Sequence, residues 1–213
     1  MTKRETPPGV RLYLDDKTIP DEVKKRHITR YMTAISQVGF SGGRWLDAAC
    51  GTGYGSYLMT DYADEVVGVD MNAKAIRYAR GHYAKISLNG KQIRFKCADL
   101  LGEPVATKLL AETQFHTVIS VETIEHLTQK QQSAWIRRVA REYLAPEGVF
   151  VLSTPIRKGG GPNPKNPHHL WEPDMDALLS VLGLYFDTAT KFTHMTEMTT
   201  GEKQQNLYVR CSL

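Results

Sequence analysis

A strand, a glycine-rich turn and the start of a helix follow one another at residues 45–56, and this stretch most constrains the fold. An apolar run ends at Asp47, and Gly51, Gly53 and Gly55 then alternate with other residues. Glycine permits a positive φ and lets a ligand lie directly against the main chain. The first free N–H groups of the following helix favour polar or anionic groups at the same place. The pattern predicts a cradle for a nucleotide-like small molecule.

Composition narrows the class of protein before any motif is considered. The 213 residues suffice for one domain with a full core. A hydrophobic share of 41% with 23% charged residues excludes disordered and fibrous classes, and the net charge of +4 does not indicate nucleic acid. Cys50, Cys97 and Cys211 show neither disulfide nor zinc spacing, which favours a reducing compartment. With no signal-peptide pattern and no apolar run of bilayer length, we expect a soluble, cytoplasmic protein without a membrane span.

Hydrophobic periodicity predicts strands that alternate with helices. Apolar runs predict five strands, which end near residues 47, 70, 99, 122 and 154. Helical spacing predicts helices near residues 23–38, 54–62, 72–88, 104–112, 128–144 and 173–182. Residues 185–193 and 206–213 are typical of a final antiparallel pair. The order predicts an α/β fold with a doubly wound, mostly parallel sheet, in which ligands bind beyond the carboxyl ends of the strands.

We predict a single domain over residues 1–213, with an N-terminal arm and helix in residues 1–40. The stretch 155–169 holds four prolines and three consecutive glycines, so no regular element is expected there. A loop of this length inside a compact domain is usually functional or mobile. We therefore interpret residues 156–172 as a lid over the site.

Four acids stand at or just before the carboxyl ends of successive strands: Asp47, Asp70, Asp99 and Glu122. The fold would bring them to one rim around the glycine turn. Ionised carboxylates only accept hydrogen bonds, so a ligand with a ribose, an amino group and an adenine amine would offer each of them a donor.

A nicotinamide or flavin oxidoreductase is the alternative from another enzyme class, because Asp70 lies about twenty residues beyond the first glycine. The dinucleotide fingerprint reads G-x-G-x-x-G. Here the glycines read G-x-G-x-G, with Ser56 at the sixth place, and no Tyr-x-x-x-Lys follows. The spacing therefore disfavours a dehydrogenase.

Between about residues 44 and 154, the chain resembles the class I S-adenosylmethionine-dependent methyltransferases. The motif that carries the resemblance is Asp47-x-x-Cys50-Gly51-x-Gly53-x-Gly55. The resemblance implies a Rossmann-like, seven-stranded sheet with an antiparallel C-terminal strand. It also implies that Asp70 holds the ribose, that Asp99 faces the adenine amine, and that Met71 lies against the adenine ring. The remaining residues expected at the S-adenosylmethionine site are Asp47, Cys50, Gly51, Gly53, Leu100 and Glu122.

Glu122-x-x-Glu125-His126 follows the fourth strand, and His169 lies in the loop after the fifth. Carboxylates and imidazoles at this spacing form a possible site for Mg²⁺ or Mn²⁺. The segment is similar to one in the small-RNA 2′-O-methyltransferases and the ubiquinone O-methyltransferases, where the matching residues bind a divalent metal. The reading without metal stays open: the two glutamates would then face the cofactor or cap a helix.

Glu125, His126 and His169 are the residues expected to carry catalysis. The predicted activity is O-methylation of a small hydroxylated metabolite, sugar or phenol, with or without a divalent cation. An RNA 2′-hydroxyl is the alternative acceptor. A non-catalytic protein that binds S-adenosylmethionine fits the same cradle. Neither the acceptor nor the oligomeric state follows from the sequence.

Overall fold

Seven strands form one sheet in the computed structural model, which describes residues 12–84, 91–102, 114–197 and 203–213. The strands are β1 (Arg44–Ala48), β2 (Glu65–Asp70), β3 (Gln92–Cys97), β4 (Phe115–Val121), β5 (Leu144–Pro155), β6 (Thr188–Glu197) and β7 (Lys203–Ser212). Their order is β3-β2-β1-β4-β5-β7-β6. Strands β1 to β5 pair in parallel, and β7 is antiparallel to both β5 and β6. The predicted fold class is confirmed.

Five α-helices connect the strands within these ranges: α1 (Asp21–Ser36), α2 (Tyr54–Met59), α3 (Ala73–His82), α4 (Gln129–Arg138) and α5 (Met175–Leu182). Two caps that the sequence predicts are present. The Asn72 side chain accepts two N–H groups at the start of α3, and Thr128 and Gln131 form a capping box on α4. None of these helices is long and apolar enough to cross a bilayer. The helix predicted at residues 104–112 lies outside the described residues.

Several element boundaries differ from the prediction; helix α3, for example, ends at His82 and not near residue 88. Helix α4 ends at Arg138, and a π-turn over Val139–Tyr143 leads directly into β5. At the end of this π-turn, the Tyr143 hydroxyl donates to the Leu100 carbonyl at 3.0 Å. Helix α5 begins at Met175, two residues later than predicted. Strand β6 starts at Thr188, three residues later than predicted. Tyr185 and Phe186 precede it, and both still donate their N–H groups to the Leu182 carbonyl at the end of α5.

The sheet separates two apolar layers, and residues of β1 alternate between them. Trp45 packs with α1, α2 and α3 on one face, whereas Leu46 packs with α4 and α5 on the other. Both side chains are fully buried. This period-two alternation fixes the strand register and leaves the carboxyl ends of the parallel strands as the edge on which a site can form.

Candidate functional site

The turn after β1 has the left-handed backbone that its glycines predict. Ala49, Gly51 and Gly53 have φ angles of 66°, 55° and 87°. A side chain at Gly53 would place its Cβ 2.7 Å from both Ala79 and Phe95, so this glycine permits packing against α3 and β3. Gly53 lines neither of the cavities described below, whereas Gly51 and Cys50 line the first. Of these two glycines only Gly51 lines a cavity, and the predicted contact of Gly53 with the cofactor stays a prediction.

Two cavities lie along the carboxyl edge of the sheet. The first, about 290 Å³, is walled by Leu12, α1, the turn after β1 and the loops after β4 and β5. The second, about 460 Å³, is walled by the ends of β2 and β3 and by the loop after β4. Both include Ala49, Glu122 and His126 in their lining. A ligand can therefore extend through both cavities beside the turn.

The second cavity contains the features expected of a nucleoside site. The Asp70 carboxylate accepts the Gly51 N–H at 3.0 Å and the Asn72 N–H at 2.7 Å, which ties the turn to the end of β2. A carboxylate at this position is an acceptor that suits the hydroxyls of a ribose. Met71 is 72% exposed at this cavity, beside the exposed Asp99. A flat base therefore has an apolar surface and a carboxylate acceptor within the same space.

Asp47 lies beneath the turn and lines neither cavity. It is fully buried, and its carboxylate accepts the Tyr31 hydroxyl at 3.1 Å and the Ser56 hydroxyl at 2.6 Å. Burial raises the pKa of Asp47 to about 7, although both hydrogen bonds act in the opposite direction. Asp47 thus joins β1, α1 and α2 below the site, and its predicted contact with the methyl donor stays a prediction.

The buried Asp47 carboxyl predicts a pH-dependent stability. Its folded-state pKa of about 7 exceeds the unfolded value near ~3.9, so the folded protein holds the extra proton between these values. Stability is therefore full below the unfolded pKa and falls as the pH rises toward 7. We expect urea unfolding to show a loss of up to about 3 kcal/mol between about pH 4.5 and 8 relative to Asp47→Asn, which lacks this ionisation.

The matched control for this prediction is Asp61→Asn at an exposed carboxyl before β2. It should follow the wild-type pH profile. Identical profiles for the wild type and Asp47→Asn would contradict the assignment of the buried proton to Asp47.

Glu122 connects several elements under both cavities. It follows β4 with a φ of 49°, a conformation that L residues rarely adopt. Its Oε1 accepts Ser153 Oγ at 3.2 Å and Asn206 Nδ2 at 2.9 Å, and its Oε2 lies 3.6 Å from Arg30 Nη2. Glu122 is predicted from the sequence as both a cofactor residue and a metal ligand. Its carboxylate contacts β5, β7 and α1 while the residue lines both cavities, and the two predicted roles stay predictions.

The structure brings three other predicted residues together at the first cavity. One possible ligand atom from each of Glu125, His126 and His169 lies within 4.8 Å of the others. Glu125 is fully buried; its Oε2 lies 3.0 Å from Thr154 Oγ1, and its Oε1 has no hydrogen-bond partner among the described residues. Burial, followed by the charge of Glu122, raises the pKa of Glu125 well above its ordinary value. Glu122 does not belong to this group.

Both imidazoles of this group are engaged at Nδ1. His126 Nδ1 lies 2.9 Å from the His168 carbonyl oxygen, and His169 Nδ1 lies 2.7 Å from Glu172 Oε1. The rings are 5.1 Å apart between centroids and nearly perpendicular, at 84°. Because a carbonyl oxygen only accepts, His126 must carry its hydrogen on Nδ1, which leaves the Nε2 lone pair of the neutral ring free.

Helix α1 adds residues that sequence reasoning missed. His27, Arg30 and Tyr31 line the first cavity together with Tyr54 from α2. Burial disfavours the charged Arg30 guanidinium, but Glu122 together with Tyr208, Tyr54 and Glu125 outweighs this effect and raises its pKa. Its Nε has no hydrogen-bond partner within the described part of the chain. The sequence signal for Arg30 is its position beside the apolar stripe of the helix predicted near residues 23–38. Arg30 can receive a ligand carboxylate here.

His27 is neutral in this environment. Burial, followed by the charges of Arg30 and Arg26, lowers its pKa to about 3. Its Nδ1 lies 3.3 Å from the Tyr54 hydroxyl. Nothing in the sequence shows that α1 lies across the carboxyl edge of the sheet, and therefore no local pattern marks His27 as a residue of the cleft.

The predicted lid segment, residues 156–172, is fixed at its base. Arg157 N–H donates to the Pro173 carbonyl at 3.1 Å, and Trp171 N–H donates to the Glu125 carbonyl at 3.1 Å. The Gln132 amide on α4 donates to the carbonyls of Ile124 at 2.8 Å and Trp171 at 2.7 Å. The loops after β4 and β5 are therefore held together below the site. A lid motion stays a prediction.

The sheet order, the acids at the ends of β2 and β3, and the cleft around the turn define a Rossmann-like protein with a nucleoside cofactor site. A family model described as "Methyltransferase domain" matches residues 46–148. A "Probable S-adenosylmethionine-dependent methyltransferase" of Mycobacterium tuberculosis (strain ATCC 25618 / H37Rv) is 27% identical over 181 residues, covering 82% of this chain and 61% of that protein. A "Ubiquinone biosynthesis O-methyltransferase" of Psychrobacter cryohalolentis is 28% identical over 151 residues, covering 70% and 52%.

Solved structures show the same fold. The N-methyltransferase NodS from Bradyrhizobium japonicum, in complex with S-adenosyl-L-homocysteine, superposes with a TM-score of 0.65 at 16% identity, covering 93% of this chain and 89% of NodS. Over residues 46–148 the chain therefore matches the methyltransferase domain, and its fold is that of the class I S-adenosylmethionine-dependent methyltransferases. It spans about three fifths of the length of the first curated relatives that it matches.

Proposed function

We propose that the protein transfers a methyl group from S-adenosylmethionine to a hydroxyl oxygen of a small metabolite, sugar or phenol. The observation that carries this proposal is the group Glu125, His126 and His169 in a cavity that adjoins the nucleoside site. Methyl transfer to an alcohol requires an aligned nucleophile and removal of its proton. A buried carboxyl and two imidazoles at one point of the cleft suit that task.

The donor site follows from the two cavities and their shared residues. In this proposal, Asp70 accepts the ribose hydroxyls and Asp99 accepts the adenine amine in the second cavity. In the first cavity, Gly51 and Arg30 hold the amino-acid end of the donor, with the guanidinium facing the carboxylate. S-adenosylmethionine supplies a methyl group on a positively charged sulfur, which is already activated for displacement.

We also propose that Glu125, His126 and His169 hold a divalent cation, Mn²⁺ or Mg²⁺. The fit rests on the unpartnered Oε1 of Glu125 and on the free Nε2 lone pair inferred at His126. Two imidazoles with one carboxylate favour Mn²⁺ over Mg²⁺. A bound cation would lower the pKa of the acceptor hydroxyl and fix its direction. In this proposal, the other residues that line the first cavity exclude water and hold the acceptor beside Glu122.

Two further observations support an oxygen acceptor of modest size. Several relatives carry the name "Ubiquinone biosynthesis O-methyltransferase", including those of Psychrobacter cryohalolentis and Idiomarina loihiensis. The first cavity, at about 290 Å³, has the size of a small-molecule site. An RNA acceptor would need a cleft that admits a chain end, so RNA serves as a second arm of the test.

For this proposal, we expect the purified protein to methylate at least one member of a panel of phenols, catechols, sugars and short RNAs. Transfer should require Mn²⁺ or Mg²⁺ and fall at least about 100-fold in excess chelator or in His169→Ala. His126→Ala should behave alike. Neither variant should change binding of S-adenosylhomocysteine in calorimetry by more than about threefold. The measurement is transfer of labelled methyl from S-adenosylmethionine.

His194→Ala, at an exposed histidine of β6, is the matched control and should keep wild-type transfer. Undiminished transfer in excess chelator would remove the cation from the proposal. Tight donor binding without transfer to any panel member would instead favour a non-catalytic S-adenosylmethionine-binding protein.

A further inference from the structure

Glu172 is a buried carboxylate that the proposed chemistry leaves without a role. It is 5% exposed, and its Oε1 accepts Asn163 Nδ2 at 2.6 Å and lies 2.7 Å from His169 Nδ1. Its Oε2 lies 3.3 Å from Arg157 Nε, so nitrogen groups surround both oxygens of the side chain. A guanidinium and an amide N–H at these oxygens favour the ionised carboxylate, which is a hydrogen-bond acceptor inside the protein.

The main chain holds this carboxylate in place. Glu172 N–H donates to the Gly161 carbonyl at 2.8 Å, and Gly161 N–H returns to the Glu172 carbonyl at 3.0 Å. This isolated antiparallel bridge closes the loop beside the first cavity. Because these bonds fix the main chain at Glu172, its side chain extends toward His169 from a defined position.

An ionised carboxylate only accepts hydrogen bonds, so its contact at His169 assigns the ring hydrogen to Nδ1. The His168 carbonyl makes the same assignment at His126. Both imidazoles then carry their free lone pair on Nε2. A partner of this kind on the far nitrogen fixes the orientation of an imidazole and increases its basicity.

We propose that Glu172 is a positioning residue that fixes His169 as the Nδ1–H tautomer and offers its Nε2 lone pair to the cavity shared with Glu125 and His126. What Nε2 then does, binding a cation or accepting a proton, rests on the proposed function. The orientation of His169 itself does not.

The ion pair with Arg157 accounts for less of the position of the Glu172 carboxylate than its contact with His169 does. Arg157 Nε lies 3.3 Å from Glu172 Oε2, but the Arg157 side chain is 36% exposed and its Nε makes no hydrogen bond of acceptable geometry in the described part of the chain. Half-exposed ion pairs contribute little to stability. The shorter contacts of Glu172 both involve Oε1, and one of them is with His169.

The tautomer can be read directly without any metal. In protein labelled with ¹⁵N-histidine, two-bond ¹H–¹⁵N correlation at about pH 8 distinguishes the two neutral tautomers, because this pH lies above the ordinary histidine pKa. We expect Nδ1–H at His169 in the wild type, with the signal assigned by its loss in His169→Ala. Glu172→Ala should convert His169 to Nε2–H or to a mixture. Glu172→Gln should keep the wild-type tautomer, because its amide oxygen can still accept.

His126 serves as the internal control, because its partner is a main-chain carbonyl, and its signal should not change in any Glu172 variant. An Nε2–H His169 in the wild type, or an unchanged tautomer in folded Glu172→Ala, would overturn the assignment. If Glu172→Ala does not fold, Arg157→Ala/Glu172→Ala removes both charges and provides the same readout.

Calorimetry with Mn²⁺ separates this inference from the proposed function. We expect Glu172→Ala to weaken Mn²⁺ binding about 10- to 100-fold, and Glu172→Gln to weaken it less. If the wild type binds no Mn²⁺ but shows the Nδ1–H tautomer, the cation fails and the positioning role stands. If Mn²⁺ binds equally to the wild type and Glu172→Ala, Glu172 has no positioning role toward the cation.

Discussion

Asp70→Ala should reduce the affinity for S-adenosylhomocysteine by at least about 100-fold in calorimetry. Asp70 is nearly buried, and its carboxylate already accepts two main-chain N–H groups that shape the turn. Charge-assisted hydrogen bonds to two ribose hydroxyls contribute about 1.5–3 kcal/mol each. Their loss corresponds to a factor of about 10² to 10⁴ in affinity. The same change also removes the connection between β2 and the turn.

Asp61→Asn is the matched control, because this exposed acid lies at the opposite, amino-terminal end of β2. It should bind like the wild type. A melting curve for Asp70→Ala distinguishes lost recognition from lost folding. Wild-type affinity in the folded variant would contradict the ribose assignment.

Gly55→Ala should lower the free energy of unfolding by about 3–5 kcal/mol. An added Cβ would lie 2.1 Å from Cε1 and 2.2 Å from Cζ of the buried Tyr31 ring. Overpacking of this kind costs about 1–3 kcal/mol or more. Displacement of the ring would also disturb the hydrogen bond from Tyr31 to Asp47. The measurement is denaturant unfolding at constant pH.

Gly81→Ala is the matched control in α3, because no atom of the residues that the structure describes lies within 4 Å of the added Cβ. There the higher helix propensity of alanine should raise stability by about 0.5–1 kcal/mol. A Gly55→Ala variant within about 0.5 kcal/mol of the wild type would show that Tyr31 can move, contrary to its packing.

The fold followed from periodicity because strands and helices impose different spacings on apolar residues, and the alternation of elements leaves few topologies. Periodicity predicted the first and last residues of individual helices and strands less accurately. The π-turn before β5 comes with a tertiary hydrogen bond from Tyr143 to Leu100, and no local pattern encodes that contact. The cap at Asn72 was predictable, because it is a contact between near neighbours in sequence.

The site residues that follow the parallel strands were predictable from the order of the strands. The residues after β2, β4 and β5 meet because parallel strands end at one edge. Asp47 was expected at that edge too, yet its side chain points into the same apolar layer as Trp45, two residues earlier. Arg30 and His27 reach the cleft only because α1 packs across the sheet edge, and that placement depends on the whole core.

The closed base of the segment after β5 has a consequence for how such a protein diversifies. Because Arg157 and Pro173 are joined by a main-chain hydrogen bond, a change in length at the tip costs only a small loop-closure entropy. His169 and Glu172 lie near the anchored end, but Asn163 donates to Glu172 Oε1, and the Asn166 carbonyl accepts the His169 N–H at 3.0 Å. A redesign of acceptor preference should therefore keep both asparagines and vary residues 164–165 between them.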